Sequence, residues 1–237
     1  MKAKSVEVKG LSAGYGQTTV LEDVSFTVPT GTCTAIVGRN GMGKTTLLAT
    51  LMGLTNRIRG DIKLGGEAIE TAPTWRRAMS GLAYVPQTRD CFPTLTVEEN
   101  LIVGIKDADK SSIEDAYALF PRLKERRRNL GNQLSGGEQQ MLSTARSLLG
   151  KPSVVLLDEP LEGLAPVICQ ELMAAFSKLA TDGEMTVLLV EQRVTSAVAI
   201  AQNVLVLERG RVAWHDSAEA WTADPTLTDR FLGVGQH

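Results

Sequence analysis

Gly38-Arg39-Asn40-Gly41-Met42-Gly43-Lys44-Thr45 is the stretch on which the rest of the chain depends. It fits the pattern G-x-x-x-x-G-K-[ST], in which main-chain N–H groups surround phosphate oxygens. The apolar run Cys33–Val37 before it predicts a buried strand, and residues 46–52 after it predict a helix. A strand, a glycine-rich loop and a helix N-terminus in this order predict a nucleotide triphosphate site.

The last two residues of the stretch carry the expected chemistry. Lys44 is expected to contact the β- and γ-phosphates, and the Thr45 hydroxyl is expected to bind Mg²⁺. Glycines suit the loop because main-chain N–H groups approach a phosphate closely where no Cβ intervenes. The competing interpretation is a glycine-rich turn that matches by chance, which the flanking strand and helix disfavour.

The composition is that of an ordinary globular protein. The chain has 237 residues, 43% of them hydrophobic and 22% charged, with a formal net charge of -2. This length suits one large α/β domain, or one domain with an inserted lobe. The charge argues against a general nucleic-acid binder, whose binding surface is basic. No apolar run approaches the roughly 18 residues that cross a bilayer, so work at a membrane would need a partner.

The cysteines predict neither a disulfide framework nor a metal site. Cys33, Cys91 and Cys169 are odd in number and far apart. A reducing compartment is therefore expected.

A second helix N-terminus carries glycines. The sequence Leu-Ser-Gly-Gly-Glu at residues 134–138 precedes residues 139–149, which have helical spacing. Such a terminus is a potential phosphate site. Taken alone, Ser-Gly-Gly is more often a loop and a helix cap.

Two carboxylates follow an apolar strand. Residues 154–157 are all apolar and predict a strand at the centre of a parallel sheet, which ends in Asp158 and Glu159. Open α/β sheets bind ligands at that edge. Asp158 is expected to hold Mg²⁺ through water, and Glu159 to take a proton from an attacking water.

The remaining apolar segments complete an α/β pattern. Alternating residues at 5–9 and 20–28 predict strands, and Gly14-Tyr15-Gly16 between them predicts a flexible turn presenting one aromatic ring. Apolar runs at 185–190 and 204–207 predict two more buried strands.

Residues 88–151 show helical patterns and no good strand. One helix is predicted to begin after Thr96, with Glu99 at the capping-box position. A second is predicted over residues 111–120, where a proline ends it. The basic run at residues 122–128 is interpreted as a solvated helix face rather than a phosphate-backbone site. This stretch looks like an inserted helical lobe.

In this order the motifs resemble those of the ATP-binding subunits of ABC transporters over nearly the whole chain. Residues 38–46 match Walker A, residues 134–138 the LSGGQ signature with Glu in the last place, and residues 154–158 Walker B. The resemblance implies an α/β P-loop NTPase with a RecA-like core sheet, an N-terminal antiparallel β subdomain and an inserted helical subdomain.

The resemblance also implies a division of the chain. Residues 1–237 would form one ABC ATPase domain. Residues 1–87 and 152–237 would hold the core with the β subdomain, and residues 88–151 the helical signature subdomain.

The same resemblance assigns roles to individual residues, with ATP and Mg²⁺ as cofactors. The nucleotide-binding residues are Tyr15, Gly38, Arg39, Asn40, Gly41, Met42, Gly43, Lys44, Thr45, Thr46, Ser135, Gly136, Gly137 and Glu138. The metal site takes Thr45, Gln87 of the Q-loop and Asp158, and the catalytic residues are Glu159, Gln192 and Lys44. Tyr15 matches the aromatic residue that stacks on adenine.

In this family two subunits sit head to tail, so the signature would contact the γ-phosphate bound by the other subunit. The implied partners are a second ATPase subunit (a paralogue or a second copy), integral-membrane permease subunits and, indirectly, a periplasmic or extracellular solute-binding protein. No nucleic acid is implied. The expected location is the cytoplasmic face of the inner (plasma) membrane.

One position departs from the commonest family pattern. Gln192 stands where the family usually has a switch histidine, and His215 and His237 come too late in the chain. Glutamine can hydrogen-bond a γ-phosphate but carries no titrating proton. Glu159 is therefore the better candidate base.

Several segments look like the second ATPase of branched-chain amino acid importers, whose close relatives import urea or short amides. Glu191-Gln192, the D-loop at residues 161–166 and residues 96–101 carry this likeness. Arg39 and Met42 favour the urea or amide branch, whereas other positions, among them Glu138, favour amino acids.

Two alternatives from other classes remain. One is a soluble ABC ATPase of translation or DNA maintenance, which would have two cassettes or a coiled-coil insertion and a basic surface. The other is an adaptor that binds ATP without hydrolysing it, which the presence of every motif residue disfavours.

Overall fold

The computed structural model describes residues 2–105 and 112–233, and in them the strands form two sheets. The strands are β1 (Val6–Tyr15), β2 (Thr18–Val28), β3 (Cys33–Val37), β4 (Asn56–Leu64), β5 (Glu67–Ala68), β6 (Leu82–Val85), β7 (Val154–Asp158), β8 (Thr186–Val190), β9 (Asn203–Glu208) and β10 (Arg211–Ser217). The helices are α1 (Lys44–Met52), α2 (Thr74–Met79), α3 (Val97–Gly104), α4 (Ile113–Leu119), α5 (Pro121–Glu125), α6 (Gly136–Leu149), α7 (Pro166–Thr181), α8 (Val194–Val198), α9 (Ala218–Ala223) and α10 (Thr226–Leu232).

The larger sheet has the order β10-β9-β3-β8-β7-β6. Every neighbouring pair is parallel except β9 and β10. All residues of β3, β7 and β8 are buried, as expected for apolar strands covered on both faces. The predicted α/β class is confirmed, and the carboxyl ends of β3, β7 and β8 lie together at one edge.

The smaller sheet is antiparallel, with the order β2-β1-β4-β5. Its first strand corrects the sequence prediction, because β1 continues past Lys9 to Tyr15. Gly14 is paired with Thr19 of β2 and Asn56 of β4 rather than placed in a turn. A Cβ on Gly14 would lie 1.9 Å from the Thr18 carbonyl oxygen. This glycine is needed for close strand approach.

Two buried clusters cover the two faces of the larger sheet. Side chains alternate along β7, so Val155 and Leu157 pack with the helices between β6 and β7, while Leu156 packs with α1 and the antiparallel sheet. Arg77, 4% exposed, fixes the far end of α1 by donating to the carbonyl oxygens of Thr50 and Leu51, both at 2.8 Å. The glycine-rich loop at residues 38–43, before α1, is called the phosphate loop below. It is thus held between the two clusters.

The chain between β6 and β7 is helical in the described residues. Thr96 caps α3 through the predicted box, since its hydroxyl accepts from the Glu99 N–H at 3.2 Å and its own N–H donates to the Glu99 carboxylate at 2.8 Å. The predicted start of the next helix at Ser111 lies outside the described residues. The basic run is exposed as predicted, but its helix ends at Glu125, so the predicted extent was wrong.

Within residues 2–105 and 112–233, no helix is both long enough and apolar enough to cross a membrane.

Candidate functional site

The loop between β3 and α1 is built around a lysine. Gly38, Gly41 and Gly43 have positive φ angles of 151°, 78° and 100°, which glycine adopts without strain. A Cβ on Gly38 would lie 2.3 Å from the Leu207 carbonyl oxygen, because the loop passes directly against β9. The Lys44 ammonium donates to the carbonyl oxygens of Gly38 at 2.8 Å and Arg39 at 3.1 Å.

Lys44 is a buried cation beside an open cavity. Its side chain is 4% exposed, and burial lowers the pKa of the ammonium, opposed by the charges of Glu159 and Asp158. The Glu159 carboxylate lies 3.7 Å away. An ammonium this poorly hydrated interacts strongly with any anion that reaches it.

The cavity over the loop has a volume of about 300 Å³, within the range that holds small ligands. Its lining residues are Val20, Asn40, Gly41, Gly43, Lys44, Thr45, Thr46, Gln87, Glu159, Glu162 and Gln192. Val20 and Glu162 were not singled out from the sequence. A larger cavity, of about 450 Å³, lies between α4, α6 and α7 and contains none of the motif residues.

Asp158 is held by two hydroxyl groups at the end of β7. Its carboxylate accepts from Thr45 at 3.1 Å and from Tyr84 at 2.9 Å. Burial raises the pKa of Asp158, and the two hydrogen bonds act against that rise. Burial and the neighbouring Asp158 raise the pKa of Tyr84, so its phenol stays a neutral donor. Tyr84 was missed from the sequence because only its placement in β6 beside β7 reveals its role.

The oxygen atoms of this group fit a magnesium ion. In the part of the chain that the structure describes, no cluster of three His, Cys, Asp or Glu side chains could hold a metal. Mg²⁺ typically takes one or two carboxylates and completes its shell with water and substrate phosphates. Thr45 and Asp158 supply a hydroxyl and a carboxylate in direct contact with each other.

Three nitrogen groups surround the carboxylate of Glu159. It follows β7 with a φ of 46° and is 8% exposed. Gln192 donates its amide N–H to Glu159 at 2.6 Å, and Gln87 donates at 3.4 Å. Together with Lys44, these residues converge on one carboxylate. A left-handed non-glycine residue costs about 1–3 kcal/mol and is concentrated at functional sites.

The signature residues lie at the start of α6. Ser135 caps the helix, since its hydroxyl accepts from the Glu138 N–H at 3.3 Å while its own N–H donates to the Glu138 carboxylate at 2.8 Å. The Glu138 carboxylate also lies 3.5 Å from Arg126. The structure thus shows Glu138, expected at the nucleotide, acting as a helix cap.

Packing explains the two signature glycines. A Cβ on Gly137 would lie 2.7 Å from the Ile168 side chain of α7, and one on Gly136 would lie 2.4 Å from the Arg89 guanidinium. Among the described residues that line the cavity over the loop, none comes from 134–138. Tyr15, at the end of β1, is 49% exposed.

The chain is similar in sequence to known transport ATP-binding proteins. The sequence profile of the ABC transporter family matches residues 21–162. The chain is 41% identical to the high-affinity branched-chain amino acid transport ATP-binding protein BraG of Pseudomonas aeruginosa, over 94% of this chain and 97% of the relative. It is 40% identical to the probable branched-chain amino acid transport ATP-binding protein LivF of Archaeoglobus fulgidus, over 88% and 90%.

Solved structures have the same fold. A bacterial Atm1-family ABC exporter with ATP bound matches with a TM-score of 0.84 and 25% identity, over 96% of this chain and 41% of that one. A nucleotide-free ATP-binding cassette from an ABC transporter matches with a TM-score of 0.83 and 21% identity, over 98% and 100%.

Proposed function

Because this chain belongs to the ABC transporter family of ATP-binding proteins, as the sequence resemblance predicted, we propose that it hydrolyses ATP to power an importer of branched-chain or other amino acids. The observation that carries this proposal is the convergence of Lys44, Gln87 and Gln192 on Glu159 beside the phosphate loop.

The chemistry follows from this arrangement. Lys44 neutralises the β- and γ-phosphates of ATP bound across the loop and the N-terminus of α1. Glu159 accepts a proton from the attacking water, whose oxygen bonds to the γ-phosphorus as the bond to the ADP oxygen breaks. Gln192 orients the Glu159 carboxylate through its 2.6 Å hydrogen bond. The products are ADP and phosphate.

Thr45, Asp158 and Gln87 would hold Mg²⁺, which when bound would supply positive charge that offsets the charge on the phosphate oxygens. The adenine ring stacks on Tyr15, an exposed aromatic residue that suits a planar base.

The working unit is a head-to-tail dimer with a paralogue or a second copy. Support comes from the signature, which lies on α6 with Ser135 exposed and outside the cavity over the loop. Ser135, Gly136 and Gly137 then reach the γ-phosphate held by the partner subunit. ATP closes the dimer, and loss of the γ-phosphate opens it. The dimer is therefore a two-state element whose equilibrium the nucleotide shifts.

The whole chain acts as one domain, with residues 88–151 as its helical part. Its partners are permease subunits in the inner membrane, at whose cytoplasmic face it works, and a solute-binding protein reached through them. The amino acid assignment rests on BraG and LivF, which are named for branched-chain amino acid transport. The second candidate is a urea or short-amide importer, favoured by Arg39 and Met42 in the loop.

Uptake measurements separate the two candidates. We expect deletion of the gene to abolish uptake of labelled leucine and to spare uptake of labelled urea and acetamide. The wild-type gene should restore uptake, and the Lys44→Ala gene should not. Lost uptake of urea or acetamide with normal leucine uptake would transfer the proposal to the second candidate.

Gln192→Ala is expected to slow ATP turnover by about tenfold, the effect of losing one hydrogen bond to a charged group. ATP affinity should stay close to the wild-type value, because Gln192 contacts Glu159 rather than the loop. The measurement is steady-state ATPase activity with titrated ATP. An unchanged kcat would show that this position has no part in the chemistry.

The pH profile gives an independent check on Gln192. The wild-type rate should show no step from a catalytic imidazole near pH 6.5, since glutamine does not titrate. Gln192→His should introduce such a step. A step near pH 6.5 in the wild-type rate would contradict a catalytic site that works without a titrating imidazole.

A further inference from the structure

The Gln87 amide is shared by two carboxylates. Its nitrogen donates to Glu159 at 3.4 Å and also to Glu162 of the D-loop. These two residues come from the segment that follows β7, on opposite sides of Pro160. Gln87 and Glu162 are exposed and line the cavity over the phosphate loop, whereas Glu159 is buried.

This sharing decides which end of the amide is available to other groups. A carboxylate only accepts hydrogen bonds, so two carboxylates on one side select the –NH₂ end of Gln87. The carbonyl oxygen is then the end that remains for a cation. Only that oxygen is a magnesium ligand, because Mg²⁺ takes oxygen donors. Without Glu162, Glu159 alone would hold the amide through a single 3.4 Å contact.

Arg89, two residues after Gln87, holds Glu162 in place. Arg89 donates from its guanidinium to the Glu162 carbonyl oxygen at 2.9 Å. The same guanidinium lies against two glycines. A Cβ built on Gly136, at the start of α6, would be 2.4 Å from the guanidinium, and a Cβ built on Gly163 of the D-loop would be 3.3 Å from it. Arg89 therefore touches the D-loop and the signature at once.

The backbone of Arg89 supports a functional interpretation. Its φ is 53°, in the left-handed region, which a non-glycine residue occupies only where surrounding contacts hold it there.

We propose that Glu162 is a positioning residue that orients the Gln87 amide so that its oxygen faces the metal, and that Arg89 holds Glu162 for this task. The proposal deepens the proposed function and rests on it, because it needs the magnesium site. Among the described residues, the Glu162 carboxylate accepts from Gln87 and forms no ion pair with Lys44, so it acts through the Gln87 amide. The Q-loop, the D-loop and the signature are thereby linked inside one subunit.

The test measures metal binding apart from hydrolysis. Mn²⁺ replaces Mg²⁺ as a paramagnetic probe, and its affinity is followed by electron paramagnetic resonance with the full chain and a non-hydrolysable ATP analogue. Glu162→Ala is expected to weaken Mn²⁺ binding by about tenfold, the effect of losing an outer-shell partner. Affinity for the analogue in EDTA should not change.

Two further variants sharpen the interpretation. Glu162→Gln keeps an oxygen that accepts from Gln87 and should stay within about threefold of the wild type. Arg89→Ala should weaken Mn²⁺ binding less than Glu162→Ala does, by about threefold, because it loosens Glu162 without removing the carboxylate. Glu114→Ala is the matched control, since it removes an exposed carboxylate of α4 that pairs with Lys124.

The outcomes are distinct. Unchanged Mn²⁺ affinity in Glu162→Ala overturns the proposal. A Glu162→Gln variant that binds Mn²⁺ as weakly as Glu162→Ala also overturns it, because the carboxylate then acts through its charge and not by accepting from Gln87. Unchanged Mn²⁺ affinity in Arg89→Ala overturns the role given to Arg89 in holding Glu162. A wild-type chain that binds neither the analogue nor Mn²⁺ contradicts the proposed function itself.

Discussion

Glu159→Gln is expected to lower steady-state ATP hydrolysis by at least about 100-fold, the contribution of a positioned general base. The amide that replaces the carboxylate cannot take a proton from water. Its shape and its oxygen are retained, so the hydrogen bond donated by Gln192 at 2.6 Å can persist. The loss should therefore come from the chemistry and not from a disturbed site.

Nucleotide binding should survive this change or become tighter. The wild-type carboxylate lies 3.7 Å from Lys44, where it partly neutralises the ammonium and repels phosphate. With a neutral amide there, the full charge of Lys44 acts on the nucleotide. Bound ATP that is not hydrolysed should hold the proposed head-to-tail dimer closed. Size-exclusion chromatography with Mg²⁺ and ATP, of the variant alone or mixed with a paralogous subunit, should then show a stable dimer.

Glu208→Gln is the matched control for this experiment. Glu208 is exposed at the end of β9, beside the strand that leads into the phosphate loop. Its variant should hydrolyse ATP at the wild-type rate. Undiminished hydrolysis by Glu159→Gln would remove Glu159 from the chemistry.

Lys44→Ala is expected to weaken ATP binding by at least about 100-fold, or about 3 kcal/mol. The Lys44 side chain is 4% exposed, so little hydration competes with a phosphate for its ammonium. The change also removes the donor that the Gly38 and Arg39 carbonyl oxygens share. The loop then loses both its charge and its internal support.

A second variant separates the loss of the ammonium, with its charge and its two hydrogen bonds, from the loss of side-chain volume. Lys44→Met keeps an unbranched side chain that fills the loop, but it carries no charge. It should bind ATP as weakly as Lys44→Ala, as measured by titration calorimetry. Lys178→Ala, which removes an exposed lysine of α7, should bind normally, and thermal melting should verify that each variant folds. Tight ATP binding by Lys44→Met would show that neither the charge nor the hydrogen bonds of the ammonium are what Lys44 contributes.

Local patterns in the sequence were sufficient for much of the fold. The strand Cys33–Val37, the loop after it and the capped helix after Thr96 are all encoded within a few consecutive residues. Hydrophobic spacing and capping chemistry act over that range, so a single sequence reveals them. The extent of β1 was underestimated, because its second half is stabilised by pairing with β2 and β4 rather than by its own alternation.

The candidate site was also largely accessible from the sequence, since its motifs are short. Lys44, Thr45, Asp158 and Glu159 were identified by type and spacing, and the structure brings them together. Gln192 was identified by comparison with the family pattern. The hydrogen bond from Gln192 to Glu159, however, depends on β7 and β8 being neighbours in the sheet.

The sequence by itself determined the type of loop, the capped helices and the buried strands, because each depends on residues a few positions apart. Only the tertiary structure decided which distant side chains meet. Tyr84 reaches Asp158 across 74 positions, and Gln87 reaches Glu162 across 75. Such contacts follow from strand order and register, which the pattern of one segment does not encode. The phosphate loop could be identified from a short motif, whereas the side chains that contact Asp158 and Glu159 became visible only when the strands were placed side by side.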